Sequence, residues 1–239
     1  MKLIFIRHAE PDYAIDSLTE KGWREAKLLA KRMSKVEMDA IYVSPLGRAQ
    51  DTCNETLKLT GQTAETMDWL QEFYVPVTDP WRGQNHHPWD YYPANWTKCP
   101  ELYDKDGWVD SPIMSTGPVR ERFDAVVQGL DGVLASHGYE RCNSYYKVTK
   151  ANEDTLVFFC HFGVTCVMLS HLCGVSAPVL WQQFFLAPSS VTVACTEERL
   201  RGEACFRVKQ FGDISHLYIE SEPPSDSGFF METWHEGGK

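Results

Sequence analysis

Charged side chains directly follow two apolar stretches of this sequence. Residues 3–6 lead into Arg7 and His8, and the longer apolar run at residues 155–160 leads into His161. In open α/β sheets, ligands bind beyond the carboxyl ends of the strands, where loops lead into helices. If both runs are buried strands, Arg7, His8 and His161 lie at such ends and mark a candidate site.

A third cationic group belongs to the same set. Residues 44–45, a Ser-Pro pair, are typical of an N-cap and a first helical residue, which puts Arg48 in the first turn of a helix. Arginine offers a planar fork of donors that matches phosphoryl oxygens, and helix N-termini add unpaired amides and a favourable dipole. Arg7, Arg48 and His161 would therefore form a compact anion site, which a phosphoryl group fits best.

The elements that must position these residues alternate along the chain. We predict strands at residues 3–6, 40–43, 65–75, 155–160, 190–196 and 203–210. We predict helices at residues 19–34, 44–59 with a stop at Gly61, 118–137 and 164–173. Strands that alternate with helices in this way indicate an α/β sandwich with a mostly parallel sheet.

Residues 74–117 interrupt this alternation. They are rich in tryptophan and tyrosine and show no sustained helical or strand period. Long irregular segments in compact domains are usually functional lids or disordered, and this one is too aromatic for disorder. We predict a single domain over residues 1–220 with an aromatic-rich cap inserted at about residues 74–117, whose rings form a small core of their own and line the pocket mouth. Residues 221–239 form a C-terminal tail with three candidate anchors, Phe229, Phe230 and Trp234.

The composition limits the partners of the protein. The 239 residues carry a formal net charge of −10, with a pI near 5.3, whereas proteins that bind nucleic acid by general attraction show a basic face. No run of the sequence is long and apolar enough to span a membrane. We therefore expect a small phosphorylated substrate as the partner, with no nucleic acid and no membrane.

The cysteines indicate the compartment. Eight cysteines include no C-x-x-C spacing, and several lie in apolar runs. This pattern favours buried, reduced thiols over disulfides or a zinc site. Because no signal-peptide core is recognisable, we expect a cytoplasmic protein. Cys160 is an alternative nucleophile beside His161, but its apolar surroundings favour simple packing.

Five short motifs occur in order along the chain. They are Arg7-His8-Ala9-Glu10, Leu18-Thr19-Glu20-Lys21-Gly22, SPLGRAQDT at residues 44–52, Leu70-Gln71-Glu72 and Cys160-His161-Phe162-Gly163. Together they resemble the histidine phosphatase superfamily, which includes the cofactor-dependent phosphoglycerate mutases. The resemblance covers most of the chain outside the cap and the tail, and it implies a three-layer α/β/α sandwich.

The resemblance also implies an activity and a role for each matching residue. It implies a phosphatase that hydrolyses a small phosphomonoester and needs no metal and no cofactor. His8 would be the nucleophile, and it would form a phosphohistidine. Arg7, Arg48 and His161 would hold the phosphoryl oxygens, with His161 also stabilising the transition state. Glu72 would protonate the leaving alkoxide and then deprotonate the hydrolytic water.

Each of these residues also has a simpler interpretation. Alone, Arg7 and His8 would be a surface pair at a strand end. Arg48 would be an exposed helix arginine, and His161 a hydrogen-bonded core histidine. The complete set of motifs in order favours the catalytic interpretation. For the acid, Glu10, Asp12 and Asp79 compete with Glu72, which we prefer because it follows Leu70 in the pattern of the family.

Two alternative functions remain open. Ala9 and Phe162 stand where the family usually has glycine, and the loop between Glu10 and Leu18 is shorter than in the mutases and lacks their asparagine. These departures weaken a phosphoglycerate-mutase-type phosphotransferase more than a phosphatase, because a mutase must retain a bisphosphorylated intermediate. A non-catalytic phospho-ligand binding module is the other alternative.

Two further residues fit no motif. His86 and His87 are adjacent and lack a ligand partner at helical spacing, so we expect an exposed pair or a substrate contact in place of a metal site. The sequence predicts neither the identity of the substrate nor the oligomeric state.

Overall fold

An eight-stranded sheet forms the centre of the structure, a computed structural model that describes residues 1–229. The strands are β1 (Lys2–Arg7), β2 (Pro11–Asp12), β3 (Ser17–Leu18), β4 (Ala40–Val43), β5 (Glu65–Thr66), β6 (Val77–Asp79), β7 (Gly83–His86), β8 (Tyr139–Cys142), β9 (Tyr145–Val148), β10 (Thr155–Cys160), β11 (Val191–Leu200) and β12 (Glu203–Asp213). The helices are α1 (Glu20–Met33), α2 (Gly47–Thr60), α3 (Pro93–Trp96), α4 (Val119–Ser136), α5 (Phe162–Cys173), α6 (Ala177–Gln183) and α7 (Ser215–Ile219). β2 pairs with β3 and β6 with β7 in two small hairpins outside this sheet.

The sheet has a parallel half and an antiparallel half. Its order is β5-β4-β10-β1-β11-β12-β9-β8. The first four strands are parallel, whereas each pair from β1 to β8 is antiparallel. The α/β class is confirmed, with an antiparallel half that the sequence analysis did not predict. Two of its four pairs are antiparallel because short turns join β8 to β9 and β11 to β12, and such connections permit only antiparallel pairing.

Alternate residues of β1 face two separate cores. Leu3 and Phe5 pack in the core formed with α4, α5 and α6, whereas Ile4 and Ile6 pack against α1 and α2. The sheet is therefore covered by helices on both faces. This is the three-layer arrangement that the resemblance implied.

Two predicted elements differ from the structure near the candidate site. The predicted strand at 65–75 is only β5, followed by a 3-10 turn at Asp68–Leu70. The chain leaves the sheet there because the carbonyls of Trp69 and Gln71 bind the side chain of Arg122 instead of a neighbouring strand. Helix α2 begins at Gly47 and not at Ser44, whose hydroxyl bonds to His161. It ends at Gly61 in the left-handed conformation, as predicted.

The buried aromatic residues of 74–117 belong to the main core. Trp108 is fully buried, and its ring lies 5.1 Å from Trp181 of α6 and 5.5 Å from Phe123 of α4. The prediction that this segment has its own core is therefore wrong, because its large rings are packed against the helices of the body. The division of the chain at residues 74–117 and at 221 stays a prediction.

The first residues of the predicted tail are bound to the body. Arg24 donates hydrogen bonds to both carboxylate oxygens of Glu222, and Lys21 Nζ donates to the carbonyl of Pro224 at 2.9 Å. The ring of Phe229 lies 4.8 Å from Phe185. The other two predicted anchors, Phe230 and Trp234, lie outside the described residues.

No helix within residues 1–229 is both long enough and apolar enough to cross a membrane.

Candidate active site

His8 lies at the carboxyl end of β1, beside the end of β10. Its backbone amide donates to the carbonyl of Cys160 at 3.0 Å, and only 2% of the residue is exposed. Its Nδ1 is 2.8 Å from the carbonyl oxygen of Ala9. Because a carbonyl can only accept, Nδ1 carries a hydrogen, and in the neutral ring the lone pair is on Nε2. Burial, with the charge of Arg7 next, holds the pKa of His8 well below its usual value, which favours this neutral form.

Ala9 fits its position without strain. It is not among the residues with positive φ, so the backbone does not require the glycine that the family usually has there. Its amide donates to Thr52 Oγ1 at 3.0 Å, which fixes the carbonyl that orients His8. The departure from the family pattern therefore leaves the geometry of the histidine intact.

Arg7 and Arg48 each have at least one terminal guanidinium nitrogen that is hydrogen-bonded and an Nε that is not. In Arg7, Nη1 donates to the carbonyl of Leu186 and Nη2 donates to the carbonyl of Ser227 at 3.1 Å. In Arg48, Nη1 donates to Asp16. In both side chains Nε is buried and has no hydrogen-bond partner. The terminal nitrogens thus anchor the guanidinium groups, while the buried Nε–H of each has no partner in the protein.

His161 completes this set from the neighbouring strand end. It is the N-cap of α5, it is fully buried, and its ring centre lies 5.1 Å from that of His8. Its Nε2 is 2.8 Å from Ser44 Oγ, whereas its Nδ1 is buried without a partner. Burial, with His8 and the arginines, holds its pKa well below the usual value. If the Ser44 hydroxyl donates to Nε2, the hydrogen of the neutral ring is on Nδ1.

Three buried nitrogen atoms from three elements therefore lack a partner: Arg7 Nε, Arg48 Nε and His161 Nδ1. Buried polar groups are nearly always hydrogen-bonded, so each such group needs an explanation. Two positive guanidinium groups and an imidazole beside a helix N-terminus suit an oxyanion. The charge of this arrangement suits an anion such as a phosphoryl group.

Glu72 is held at the same helix N-terminus by three backbone amides. Its Oε1 accepts from Phe73 at 2.7 Å and from Val164 at 3.0 Å, and its Oε2 accepts from Gly163 at 3.2 Å. Oε2 therefore accepts only one hydrogen bond, which is also the longest of the three. It is the oxygen that can more readily carry a proton. The carboxyl is fixed in place while one oxygen stays available.

The close approach of Glu72 requires the glycine at 163. A Cβ at this position would lie 2.7 Å from Glu72 Oε1 and 2.7 Å from Cζ3 of Trp89. Phe162, by contrast, is a half-buried first residue of α5 that packs against the core. The structure thus accommodates a side chain at 162 but not at 163.

The competing carboxylates have other partners. Glu10 accepts from Thr19 Oγ1 at 2.8 Å, and Asp12 accepts from the amide of Ala14 at 3.0 Å. Asp79 is buried in an ion pair with Arg82. These contacts leave Glu72 as the carboxylate placed at the N-terminus of α5.

The sequence analysis missed three residues that shape the site. Arg122 Nη2 donates to the carbonyls of Trp69 and Gln71 at 3.2 and 2.7 Å, and so holds the loop that carries Glu72. The Ser227 carbonyl binds Arg7, and Tyr13 places its exposed ring 5.4 Å from the guanidinium carbon of Arg48. No motif signals these residues, because each acts through a contact with a distant part of the chain.

The predicted pair of histidines lies at the rim beside Glu72. The His87 ring stacks on Trp89, with ring centres 5.1 Å apart, and contacts Tyr74 at a tilt, with ring centres 4.5 Å apart. His86 is the last residue of β7. Within residues 1–229, no group of three or more residues of the metal-binding types is arranged to hold a metal ion. All eight cysteines are free.

Comparison with known proteins identifies the family of the chain. Residues 3–203 match the model of the histidine phosphatase superfamily (branch 1). Phosphoserine phosphatase 1 of Hydrogenobacter thermophilus is 41% identical over 210 residues, which cover 83% of this chain and 88% of the relative.

Solved structures share the fold. The phosphoserine phosphatase of Entamoeba histolytica, an H9A mutant in complex with phosphoserine, has a TM-score of 0.60 at 20% identity, covering 90% of this chain and 98% of that one. A mycobacterial glucosyl-3-phosphoglycerate phosphatase has a TM-score of 0.61 at 18% identity, covering 88% of this chain and 98% of that one.

Proposed function

Because this chain belongs to the histidine phosphatase superfamily, we propose that it hydrolyses small phosphomonoesters through a phosphohistidine formed on His8. The protein is a phosphoric monoester hydrolase by its family and its relatives. The observation that carries the residue roles is the set of three buried, unpaired nitrogens on Arg7, Arg48 and His161.

The first step transfers the phosphoryl group to the enzyme. Arg7 Nε, Arg48 Nε and His161 Nδ1 donate hydrogen bonds to the phosphoryl oxygens and offset their charge. The lone pair of His8 Nε2 forms the P–N bond as the bond from phosphorus to the alcohol oxygen breaks. Glu72 gives its proton to that oxygen, so the alcohol leaves as a neutral molecule.

The second step releases phosphate and restores the enzyme. The Glu72 carboxylate accepts a proton from a water molecule, whose oxygen forms a new bond to phosphorus. The P–N bond breaks, and its electron pair returns to His8 Nε2. The products of the cycle are an alcohol and inorganic phosphate, and Glu72 is again protonated.

The burial of the histidine supports its role as the nucleophile. A protonated imidazole has no lone pair on Nε2, so it cannot attack phosphorus. Burial and the two arginines keep the pKa of His8 low, and the Ala9 carbonyl keeps the hydrogen on Nδ1. The reactive nitrogen is therefore available at neutral pH before the substrate binds.

Phosphatase activity fits the rim better than mutase activity. A mutase needs free cations to hold a second phosphate while the intermediate turns. The only arginine of residues 74–117, Arg82, donates to Asp79 and Asp90 and lies over Tyr92. Two carboxylates offset its charge, and the only lysines of the segment are Lys98 and Lys105, so the rim has few free cations, which favours hydrolysis over transfer.

The compartment and the substrate remain parts of the proposal. We place the protein in the cytoplasm, which its eight free cysteines support. The 41% identical relative carries the name of a phosphoserine phosphatase, so phosphoserine belongs in the substrate panel.

The test is release of inorganic phosphate from p-nitrophenyl phosphate and phosphoserine by the wild type and by His8→Ala. We expect the substitution to lower kcat by about 10⁴-fold or more, because the nucleophile is removed. His137→Ala is the matched control, since His137 pairs with Asp154 on the surface and not with the site. Full activity in His8→Ala would contradict the proposal.

A further inference from the structure

Three rings form a continuous row next to the acid. Tyr74, His87 and Trp89, here called the aromatic row, have successive ring centres 4.5 and 5.1 Å apart. The row reaches Glu72 at its Trp89 end, since Glu72 Oε1 and Trp89 Cζ3 each lie 2.7 Å from the position that a Cβ on residue 163 would occupy. At its other end, Tyr74 is two residues from Glu72, and its amide donates to the Glu72 carbonyl at 2.7 Å.

The position of Glu72 defines the side on which the alcohol lies. Attack by His8 Nε2 requires the leaving oxygen to lie on the far side of phosphorus, and the acid must touch that oxygen to protonate it. The carbon body of the substrate therefore extends from phosphorus past Glu72. The aromatic row is the surface that borders Glu72 there.

One end of the row is fixed and the other is open. Trp89 is half-buried, its ring lies 5.8 Å from Trp181, and its carbonyl accepts from Gln182 at 2.7 Å. Tyr74 is 52% exposed, and His87 is exposed as well. A ligand can thus reach the exposed rings of Tyr74 and His87, while the half-buried ring of Trp89 is held by the body of the protein.

The row presents rings without a free charge. The His87 ring is partly desolvated by the rings on either side of it, which lowers its pKa and favours the neutral imidazole. Of the nearest arginines in residues 1–229, Arg82 binds Asp79 and Asp90, and Arg122 binds two backbone carbonyls of the Glu72 loop. The row itself offers no cation to a charged carboxylate, whereas a flat ring would find aromatic partners there.

We propose that the aromatic row binds the alcohol part of the substrate by ring stacking, and that the preferred substrates are phosphomonoesters of alcohols with a flat, uncharged ring. The inference rests on the proposed function, because Glu72 identifies the leaving-group side only if it is the acid. It assigns selectivity to Tyr74 and His87, and it leaves the chemical steps unchanged.

The test compares three phosphomonoesters of primary alcohols: benzyl phosphate, propyl phosphate and phosphoserine. Their leaving oxygens are chemically similar, so differences in kcat/KM report contacts of the alcohol body. We expect the wild type to favour benzyl phosphate over both others by about tenfold or more, the size of one to two aromatic contacts. The double variant Tyr74→Leu with His87→Ala should lose this preference, so that its kcat/KM for benzyl phosphate falls to its value for propyl phosphate.

The matched control is Trp81→Leu, which removes an exposed ring of the same segment whose neighbour is Tyr91 and not the row. It should retain the preference for benzyl phosphate. Equal kcat/KM for benzyl and propyl phosphate, a preference for phosphoserine, or an unchanged preference in the double variant would each overturn the inference. Failure of the proposed function would look different, because then none of the three esters would be hydrolysed or hydrolysis would survive His8→Ala.

Discussion

The two ends of the candidate site are built in different ways. At the phosphate end, Arg7, His8 and His161 are buried at the ends of adjacent strands. At the leaving-group end, Glu72 and Tyr74 lie in a loop, and the outer rings of the aromatic row are exposed. Charge has to be fixed precisely relative to phosphorus, which regular elements achieve, whereas loops at the rim tolerate variation.

This difference separates chemistry from selectivity. Substitutions at the phosphate end should lower turnover of every substrate by similar factors. Substitutions at the aromatic row should change the ranking of substrates. Glu72 and Gly163 lie between the two ends, so substitutions at these two positions test whether chemistry and selectivity can be separated.

The largest expected effect beyond the nucleophile is at Glu72. Glu72→Gln keeps the shape of the side chain but cannot give or take the proton, so we expect kcat for alkyl phosphates to fall by about 10²–10⁴-fold. The first step with p-nitrophenyl phosphate should suffer less, because nitrophenolate leaves without protonation. Pre-steady-state release of nitrophenol against steady-state release of phosphate measures both effects.

Glu10→Gln is the control for this substitution, since Glu10 is the competing glutamate and binds Thr19 instead. It should leave the ratio of the kcat values for alkyl phosphates and p-nitrophenyl phosphate as in the wild type. If Glu10→Gln and Glu72→Gln exchanged these results, the acid would be assigned to the wrong loop.

A smaller effect is expected from Gly163→Ala. The new methyl group would press on Glu72 Oε1 and Trp89, so both the acid and the inner ring of the row must move. A displacement of about 1 Å in a catalytic group lowers turnover by about 10²-fold. Gly132→Ala is the matched control, because a Cβ there meets nothing within 4 Å. The kcat values are compared for variants with the same folded fraction. Equal kcat for the two variants would show that the close packing at residue 163 is not needed for turnover.

The smallest predicted effect concerns residues 222–229, the segment that contains the Ser227 carbonyl bound by Arg7. A chain that ends at Ser221 lacks the Ser227 carbonyl and the contact of Phe229 with Phe185. Loss of one hydrogen bond to a charged group corresponds to about tenfold, and we expect it in KM and in the inhibition constant of inorganic phosphate. The reference is a chain that ends at Phe229. A change in kcat alone, with phosphate inhibition unchanged, would argue against a role of this segment in holding Arg7.

The phosphate end could be predicted from sequence because each of its residues follows a strong local signal. Apolar runs predicted β1 and β10, and the motifs after them marked His8 and His161. The helix stop at Gly61 was also local, since only a residue that adopts positive φ readily ends a helix in this way. These features depend on neighbours in the chain.

The remaining features depend on contacts between distant residues. The predicted strand through Leu70 and Glu72 fails because Arg122, about fifty residues away, binds the carbonyls of that loop. The bond from Arg7 to Ser227 was not predicted, because the composition of the tail carries no sign of it. The cap aromatics looked like a separate core because sequence shows their number but not that Trp108 packs on Trp181.

The most direct test of the account is to trap the phosphoryl group on the enzyme. Glu72→Gln mixed with p-nitrophenyl phosphate should complete the first step and stall in the second, which needs the carboxylate as a base. Alkaline quenching preserves phosphohistidine, and peptide mass spectrometry locates it. We predict a phosphoryl group on His8 that is absent when His8→Ala is added to the same variant. A phosphoryl group on another residue, or phosphate release with no labelled peptide at any time point, would contradict the central claim.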